Sequence, residues 1–244
     1  IALLGGVCLF AQKDENILLK PNILVGDAPE KCVTTHPCVF KAVAEILTET
    51  GAHVTYGDSP AIGKTSKAAK KAGLSQAADE VKIELADFTT GVDVFFDKGL
   101  QNRKFTIAKA VLDNDAVISI PKLKTHGLEK LTGAIKNQFG CIPGILKGEF
   151  HLKLPGADDF AKMLVDLNAC IKPKLYIMDG IYGMEGNGPR GGTPRKMNIL
   201  ILSSDPVALD ATVCRLLKVN PEYVPTTKYG MQAGMGTFRK EDIE

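Results

Sequence analysis

No two of the six cysteines in this chain (Cys8, Cys32, Cys38, Cys141, Cys170, Cys214) form a Cys-x-x-Cys pair. A zinc knuckle or a ferredoxin-type cluster needs that spacing, so no iron-sulfur cluster is written in these residues and the thiols read as reduced and mostly structural. No apolar run reaches the roughly 18 residues that a bilayer span requires, and no charged flank precedes the apolar start at Ile1 to Ala11. The expectation is a cytoplasmic protein with no membrane partner. Ile1 to Ala11 then reads as the remainder of a packed helix, with a truncated signal core as the alternative. With no initiator methionine at Ile1, a truncated N-terminus is the expectation.

Excess charge is also lacking. Thirty Lys and Arg against 28 Asp and Glu leave a net charge of +2, which removes the bulk electrostatic case for nucleic acid; any anion site has to come from local clustering. The basic run Lys64 to Lys71 reads as the solvated face of a short helix. There is no Gly-x-x-x-x-Gly-Lys-Ser/Thr, so a P-loop is disfavoured. Gly186, Gly188 and Gly191 keep a Gly-x-Gly-x-x-Gly spacing, but the apolar run Met197 to Leu202 that follows reads as a strand, where a dinucleotide site needs a helix.

What is present is ordinary globular composition, 45% hydrophobic and 24% charged. Short apolar runs at Asn16 to Leu19, Ala52 to Tyr56, Val81 to Leu85, Ala116 to Ile120, Lys174 to Met178 and Met197 to Leu202 predict strands. The first should stop at Lys20-Pro21-Asn22, because proline cannot donate to a ladder. Val92 to Phe96 and Lys104 to Ile107 predict a hairpin. Helical spacing predicts helices over Cys38 to Thr50, started by Thr35-His36-Pro37, and over Ala157 to Ile171; Asp205-Pro206 is a helix start. This alternation predicts an α/β fold, a mostly parallel sheet with helices on both faces, as a single domain over 1–244 or as two lobes with a site between them.

Polar residues collect where strands should end. In open α/β sheets ligands bind at the carboxyl ends of the strands. Lys20 and Asn22 follow the first strand, Asp58 and Ser59 the second, and Lys122, Lys124 and His126 should leave the sheet after Ala116 to Ile120. Thr132-Gly133-Ala134-Ile135-Lys136-Asn137, a Gly-Pro cluster at Gly140, Pro143 and Gly144, and His151 complete that stretch. The glycine-rich run after Asp179, with Gly186, Gly188 and Arg190, would let backbone amides and a fixed charge approach an anion. Asp210, early in the last predicted helix, faces either solvent or the site.

The blocks KPN (20–22), THP (35–37), GDSPA (57–61), PKLKTH (121–126), TGAIKNQFG (132–140) and MDGIYGMEGNGP (178–189) resemble the domain of unknown function 362 family over almost the whole chain. That resemblance implies association with iron-sulfur chemistry, because many members carry a ferredoxin-like module beside this domain; a ferredoxin-like protein or module is then an expected partner. A more distant pattern is similar to nickel-pincer lactate racemases, in which a histidine, a lysine ten residues on, Pro-Gly and a second histidine occur in order. Here these are His126, Lys136, Pro143-Gly144 and His151. The resemblance implies that Lys136 tethers a cofactor and that His151 binds a metal. The racemase Thr-His-Arg block is replaced here by Gly57-Asp58-Ser59-Pro60, so one of two proton-transfer histidines is missing.

Three functions follow. In the first, Lys20, Asn22, Lys122, Lys124, Asn137, Gly186, Gly188 and Arg190 hold an anionic small molecule or cofactor, His126 is its acid or base, and Lys136 is an anion ligand or nucleophile, with Asp58 orienting. In the second, the domain docks an iron-sulfur protein through its basic stretch. In the third, a metal is held by His36, His126 and His151 with an aspartate such as Asp179.

Overall fold

The structure is a computed structural model that describes residues 1–144 and 146–243. Among the described residues ten strands and nine α-helices follow one another as β1 (Asn16–Pro21), α1 (Pro37–Thr48), β2 (His53–Tyr56), α2 (Thr65–Lys71), α3 (Leu74–Val81), β3 (Glu84–Leu85), β4 (Gly91–Phe95), β5 (Lys104–Ala108), α4 (Lys109–Leu112), β6 (Ala116–Ile120), β7 (Lys122–His126), β8 (Lys130–Thr132), α5 (Ala134–Asn137), α6 (Leu146–Lys153), α7 (Ala157–Ile171), β9 (Leu175–Glu185), β10 (Thr193–Ser203), α8 (Pro206–Leu216) and α9 (Pro225–Gln232). Eight strands form one sheet in the order β3-β2-β1-β6-β9-β7-β8, with β10 on the remaining edge of β9; β4 and β5 form a separate hairpin. Every pair from β3 to β7 along this order is parallel, and β7–β8 and β9–β10 are antiparallel.

Strand alternation sorts the core. Ile17 and Leu19 of β1 join Phe40, Val43 and Leu47 of α1 on one face, while Leu18 joins Phe160, Leu164 and Leu167 of α7 on the other. Helices therefore cover both faces, as the α/β pattern predicts. The chain leaves β1 toward β2 on one side and later returns to place β6 on the other, so β1 and β6 flank a topological switch point, where a crevice opens at the strand ends.

Several elements differ from the sequence expectation, each for a physical reason. Ile1 to Ala11 is not one helix but two 3-10 turns, Ala2–Leu4 and Val7–Leu9, because Gly5 and Gly6 both take positive φ (95° and 99°). β1 runs on through Pro21, which pairs only with Ile120 of β6, beyond the point where the β2 ladder ends at Leu19. Val81 closes α3, and the strand beyond it shrinks to Glu84–Leu85. Lys122 to His126 do not leave the sheet; after Pro121 the chain re-enters it as β7. β9 continues through Asp179 to Glu185, paired with β10, so the glycine-rich loop is confined to 186–192. The tail is held by α9, whose Gly230 sits close against Val207 of α8.

Candidate functional site

Two strand ends bring opposite charges together. Lys20 Nζ donates to Asp58 Oδ1 at 3.0 Å with both side chains buried, and Asp58 Oδ2 accepts the Ile23 N–H at 2.7 Å. Gly140 closes over this pair: a Cβ there would lie 1.8 Å from Asp58 Oδ1 and 2.9 Å from Lys20 Nζ. Gly140→Ala is expected to lower the unfolding free energy by about 1–3 kcal/mol, the usual cost of overpacking. Urea denaturation checks this, and a variant as stable as the parent would show that the pair does not need the glycine.

Period two puts Lys122 and Lys124 on one face of β7, opposite Leu123. Both lysines are 1% exposed. Lys122 Nζ donates to Asp179 Oδ2 at 2.8 Å, and the same oxygen accepts the His36 N–H at 2.8 Å at the start of α1. Lys124 Nζ donates to Asn22 Oδ1 (2.8 Å) and Val33 O (2.7 Å). Asn22 Nδ2 continues to Asn137 Oδ1 (3.1 Å), and Asn137 Nδ2 to Ser119 Oγ (2.9 Å), which ties the ends of β1, β6 and β7 to α5. Burial, reinforced by the charges of Lys136 and Lys122, pushes the Lys124 amine down to about 7. Two lysines so deeply buried cannot form a basic contact face for another protein.

The open space beside this network is a cavity of about 390 Å³. His126, at the end of β7, lies on its wall. Its Nδ1 accepts the N–H groups of Leu128 (3.2 Å) and Glu129 (3.1 Å), which leaves Nε2 as the free ring nitrogen. Burial first, then the charges of Lys136, Lys124 and His151, push the imidazole down to about 3. Lys136 projects from α5 with its Nζ 5.5 Å from the Phe139 ring centroid and 5.9 Å from that of Phe160, on which the His151 ring stacks at 4.5 Å. Among the described residues it has no hydrogen-bond acceptor and no carboxylate partner. Lys136 is half-buried, and it is a wall of the cavity. Burial pushes its amine down to about 8, against the opposing charge of Glu129.

Of the residues singled out in the sequence, Asn22, Asp58, Lys124, His126, Lys136, Asn137 and His151 share this cavity, and Lys20 stands behind Asp58. Ser59, Thr132, Gly140 and Gly144 line it too, and the remaining candidates lie elsewhere. His36 caps α1, its Nδ1 accepting the Cys38 N–H. Asp179 is spent on Lys122 and His36, and neither Asp179 nor His36 lines the cavity that His151 lines, so His36, His151 and Asp179 do not form one ligand set. Among the described residues no group of three His, Cys, Asp or Glu side chains is placed to hold a metal ion. Arg190 is engaged by Asp27 through Nε (2.8 Å) and Nη2 (3.2 Å), and its guanidinium holds that carboxyl down at about 2. Gly186 and Gly188 fasten the 186–192 loop to Thr125 of β7 instead of facing an anion.

Three residues in or beside the site take on roles that the sequence does not assign them. Lys147 of α6 donates to Ser59 O and Oγ, both at 2.7 Å, and to Pro60 O at 3.1 Å, which holds the helix over the cavity; burial pushes its amine down to about 8. Thr132 lines the cavity with a buried hydroxyl that has no partner. Glu129 is fully buried with neither oxygen partnered, and burial pushes it up to about 7. A signal for Glu129 was available: it is the one acidic residue between Pro121 and Phe139.

The family model described as Domain of unknown function (DUF362) matches residues 17–215. This chain belongs to the DUF362 family. Of the six DUF362 blocks quoted above, all but THP contribute to the cavity wall. The thylakoid-associated protein sll1697 of Synechocystis sp. (strain ATCC 27184 / PCC 6803 / Kazusa) is 36% identical over 239 residues, 98% of this DUF362 chain and 74% of that protein. Among solved structures, the lactate racemase apoprotein from Thermoanaerobacterium thermosaccharolyticum aligns with a TM-score of 0.54 at 12% identity, covering 86% of this chain and 50% of that one. The likeness is one of fold, and the DUF362 chain spans half the racemase's length. A protein from Thermotoga maritima aligns with a TM-score of 0.45 at 14% identity, over 95% of this chain and 57% of that one. No helix among the described residues is long and apolar enough to cross a membrane.

Proposed function

We propose that the cavity binds an anionic small molecule or cofactor and that the charge meeting it is Lys136. The observation behind this is the contrast among buried lysines. Lys20 and Lys122 are each neutralised by an aspartate, whereas the Lys136 amine, cationic below about pH 8, faces an open space with no carboxylate in ion-pair contact among the described residues. A volume of about 390 Å³ falls within the range of small-molecule sites, roughly 300–1,000 Å³. Leu24, Ala61, Phe139 and Pro189 supply apolar wall, and Thr132 and His126 supply the polar contacts. Six free thiols suit a reducing, cytoplasmic setting.

The same geometry gives His126 a part other than the acid or base that its sequence context suggests. With Nδ1 accepting two backbone N–H groups and the imidazole held far below its ordinary pKa, the ring is neutral with its proton on Nε2. A neutral Nε2–H is a hydrogen-bond donor to a ligand oxygen, not a proton carrier at pH 7.

Isothermal titration with lactate, pyruvate and inorganic phosphate at about pH 6.5 tests the site. At least one is expected to bind, and Lys136→Met is expected to weaken it about tenfold or more, since a hydrogen bond to a charged group contributes about 1.5–3 kcal/mol. Affinity should fall as pH rises through about 8 and the amine loses its proton. Binding that is absent for all three, or indifferent to Lys136→Met, would refute the assignment.

A further inference from the structure

We propose that Lys136 is a covalent anchor, its Nζ condensing with the carbonyl carbon of an oxo-acid ligand to form an imine. This rests on the anion site proposed above, because the ligand's acid group is what brings the carbonyl into the cavity. Of the five lysines gathered at this edge, Lys20 and Lys122 are held by aspartates, Lys124 by Asn22 and Val33, and Lys147 by Ser59 and Pro60. Lys136 alone has, among the described residues, no acceptor to occupy its protons and no ion-pair partner, and the more distant charge of Glu129 does not outweigh its burial. Phe139, Phe160 and the stacked His151 wall the amine in with ring surface, which favours its neutral, nucleophilic form.

The chemistry balances without an oxidant or reductant. The Nζ lone pair attacks the carbonyl carbon, a C–N bond forms, and the carbonyl π electrons pass to the oxygen, which takes up a proton. Nitrogen then gives up its two protons, the carbinolamine hydroxyl takes up a second proton and departs as water, and the C=N bond remains. His126 Nε2–H and the unpartnered Thr132 hydroxyl line the same cavity and can donate to the carbonyl oxygen as it gains charge. Once protonated, the iminium keeps a positive charge beside the ligand's carboxylate, so the covalent step retains the pairing that brought the ligand in. The amine pushed down to about 8 leaves far more free base near neutrality than an ordinary lysine has.

The test is trapping with pyruvate and cyanoborohydride near pH 7, followed by peptide mapping, beside titration with lactate, which has the same carboxylate but no carbonyl. Reduction should fix pyruvate less one oxygen atom on Lys136, at a rate on the order of tenfold or more above exposed lysines such as Lys67 and Lys98. Lys136→Arg should abolish that adduct while still binding lactate, because it keeps the charge and loses the nucleophile. Lactate binding with no adduct at Lys136, or labelling spread evenly over surface lysines, overturns the imine and leaves the anion site standing. Absence of any ligand binding overturns both.

Discussion

Asp179→Ala is expected to lower the unfolding free energy by about 3–5 kcal/mol, the range found when one partner of a buried ion pair is removed. Lys122 is 1% exposed and its ammonium has Asp179 at 2.8 Å as its charge partner. Truncating the aspartate strands that ammonium between β7 and β9. It also strands the His36 N–H, which donates to Asp179 at 2.8 Å, and the Ile181 N–H, which donates at 3.3 Å. The start of α1 and the hinge between β6 and β7 then lose their common fastening. The double variant Lys122→Met with Asp179→Leu should recover more than half of the loss, because two apolar groups restore packing without a buried charge. Glu185→Ala is the surface comparison. Its partner Arg195 is well exposed, so the change should stay within about 1 kcal/mol. Urea denaturation of the three variants distinguishes these cases. A loss below about 1 kcal/mol for Asp179→Ala would mean that Lys122 finds water or another acceptor, and that this pair does not organise the site's rear wall.

The lysines explain which parts of this molecule can be read from its sequence. β1, β6 and α7 are legible because their apolar residues recur at strand or helix period, and α1 and α8 because His36-Pro37 and Asp205-Pro206 announce a cap and a first turn. The gathering of Asn22, Asp58, Lys124, His126 and Lys136 is legible because strand ends of a parallel sheet converge on one edge. β7 is not, although Lys-Leu-Lys-Thr-His alternates at period two. Its polar members face inward, and a polar face is ordinarily read as the solvated one. Which charge neutralises which is equally hidden: Arg190 and Asp27 lie 163 positions apart, and Lys122 and Asp179 lie 57 apart. Only tertiary packing decides that Arg190 is spent while Lys136 is free. α6 has hardly any apolar stripe, so its Lys147 gives no periodic signal.

Without ligand, the protein is expected to be least stable near neutral pH. Asp210 is fully buried against the start of α5, accepting the N–H groups of Ala134 (2.7 Å) and Ile135 (3.3 Å), and burial pushes its carboxyl from 3.8 up to about 7. Glu129 moves in the same direction, from 4.5 to about 7. Between about pH 4 and 7 the unfolded chain has ionised both groups while the folded chain keeps them protonated. At these two groups the folded state then binds more protons, which together outweighs the opposite effect of the His126 imidazole, pushed down to about 3, and stability falls as pH rises. For Asp210 a displacement of about three pH units corresponds to at most about 4 kcal/mol. The buried amines act in the opposite sense. Lys124 falls from 10.5 to about 7, and Lys136 and Lys147 to about 8, so above neutrality the folded state releases protons that the unfolded chain holds until about pH 10, and stability climbs again. Below about pH 4, Asp27 and Asp87, both held down at about 2, reverse the acid side, since stability is lost as they protonate. Urea denaturation at about pH 4.5, 7 and 9.5 should therefore trace a dip, with Asp210→Asn flattening its acid arm. A profile that rises steadily across that range would mean that Asp210 is ionised in the folded protein, its two N–H donors outweighing burial. An anion bound beside Lys136 favours the charged amine and stabilises the folded state, so adding one at neutral pH should fill the dip that Asp210 and the lysines create together.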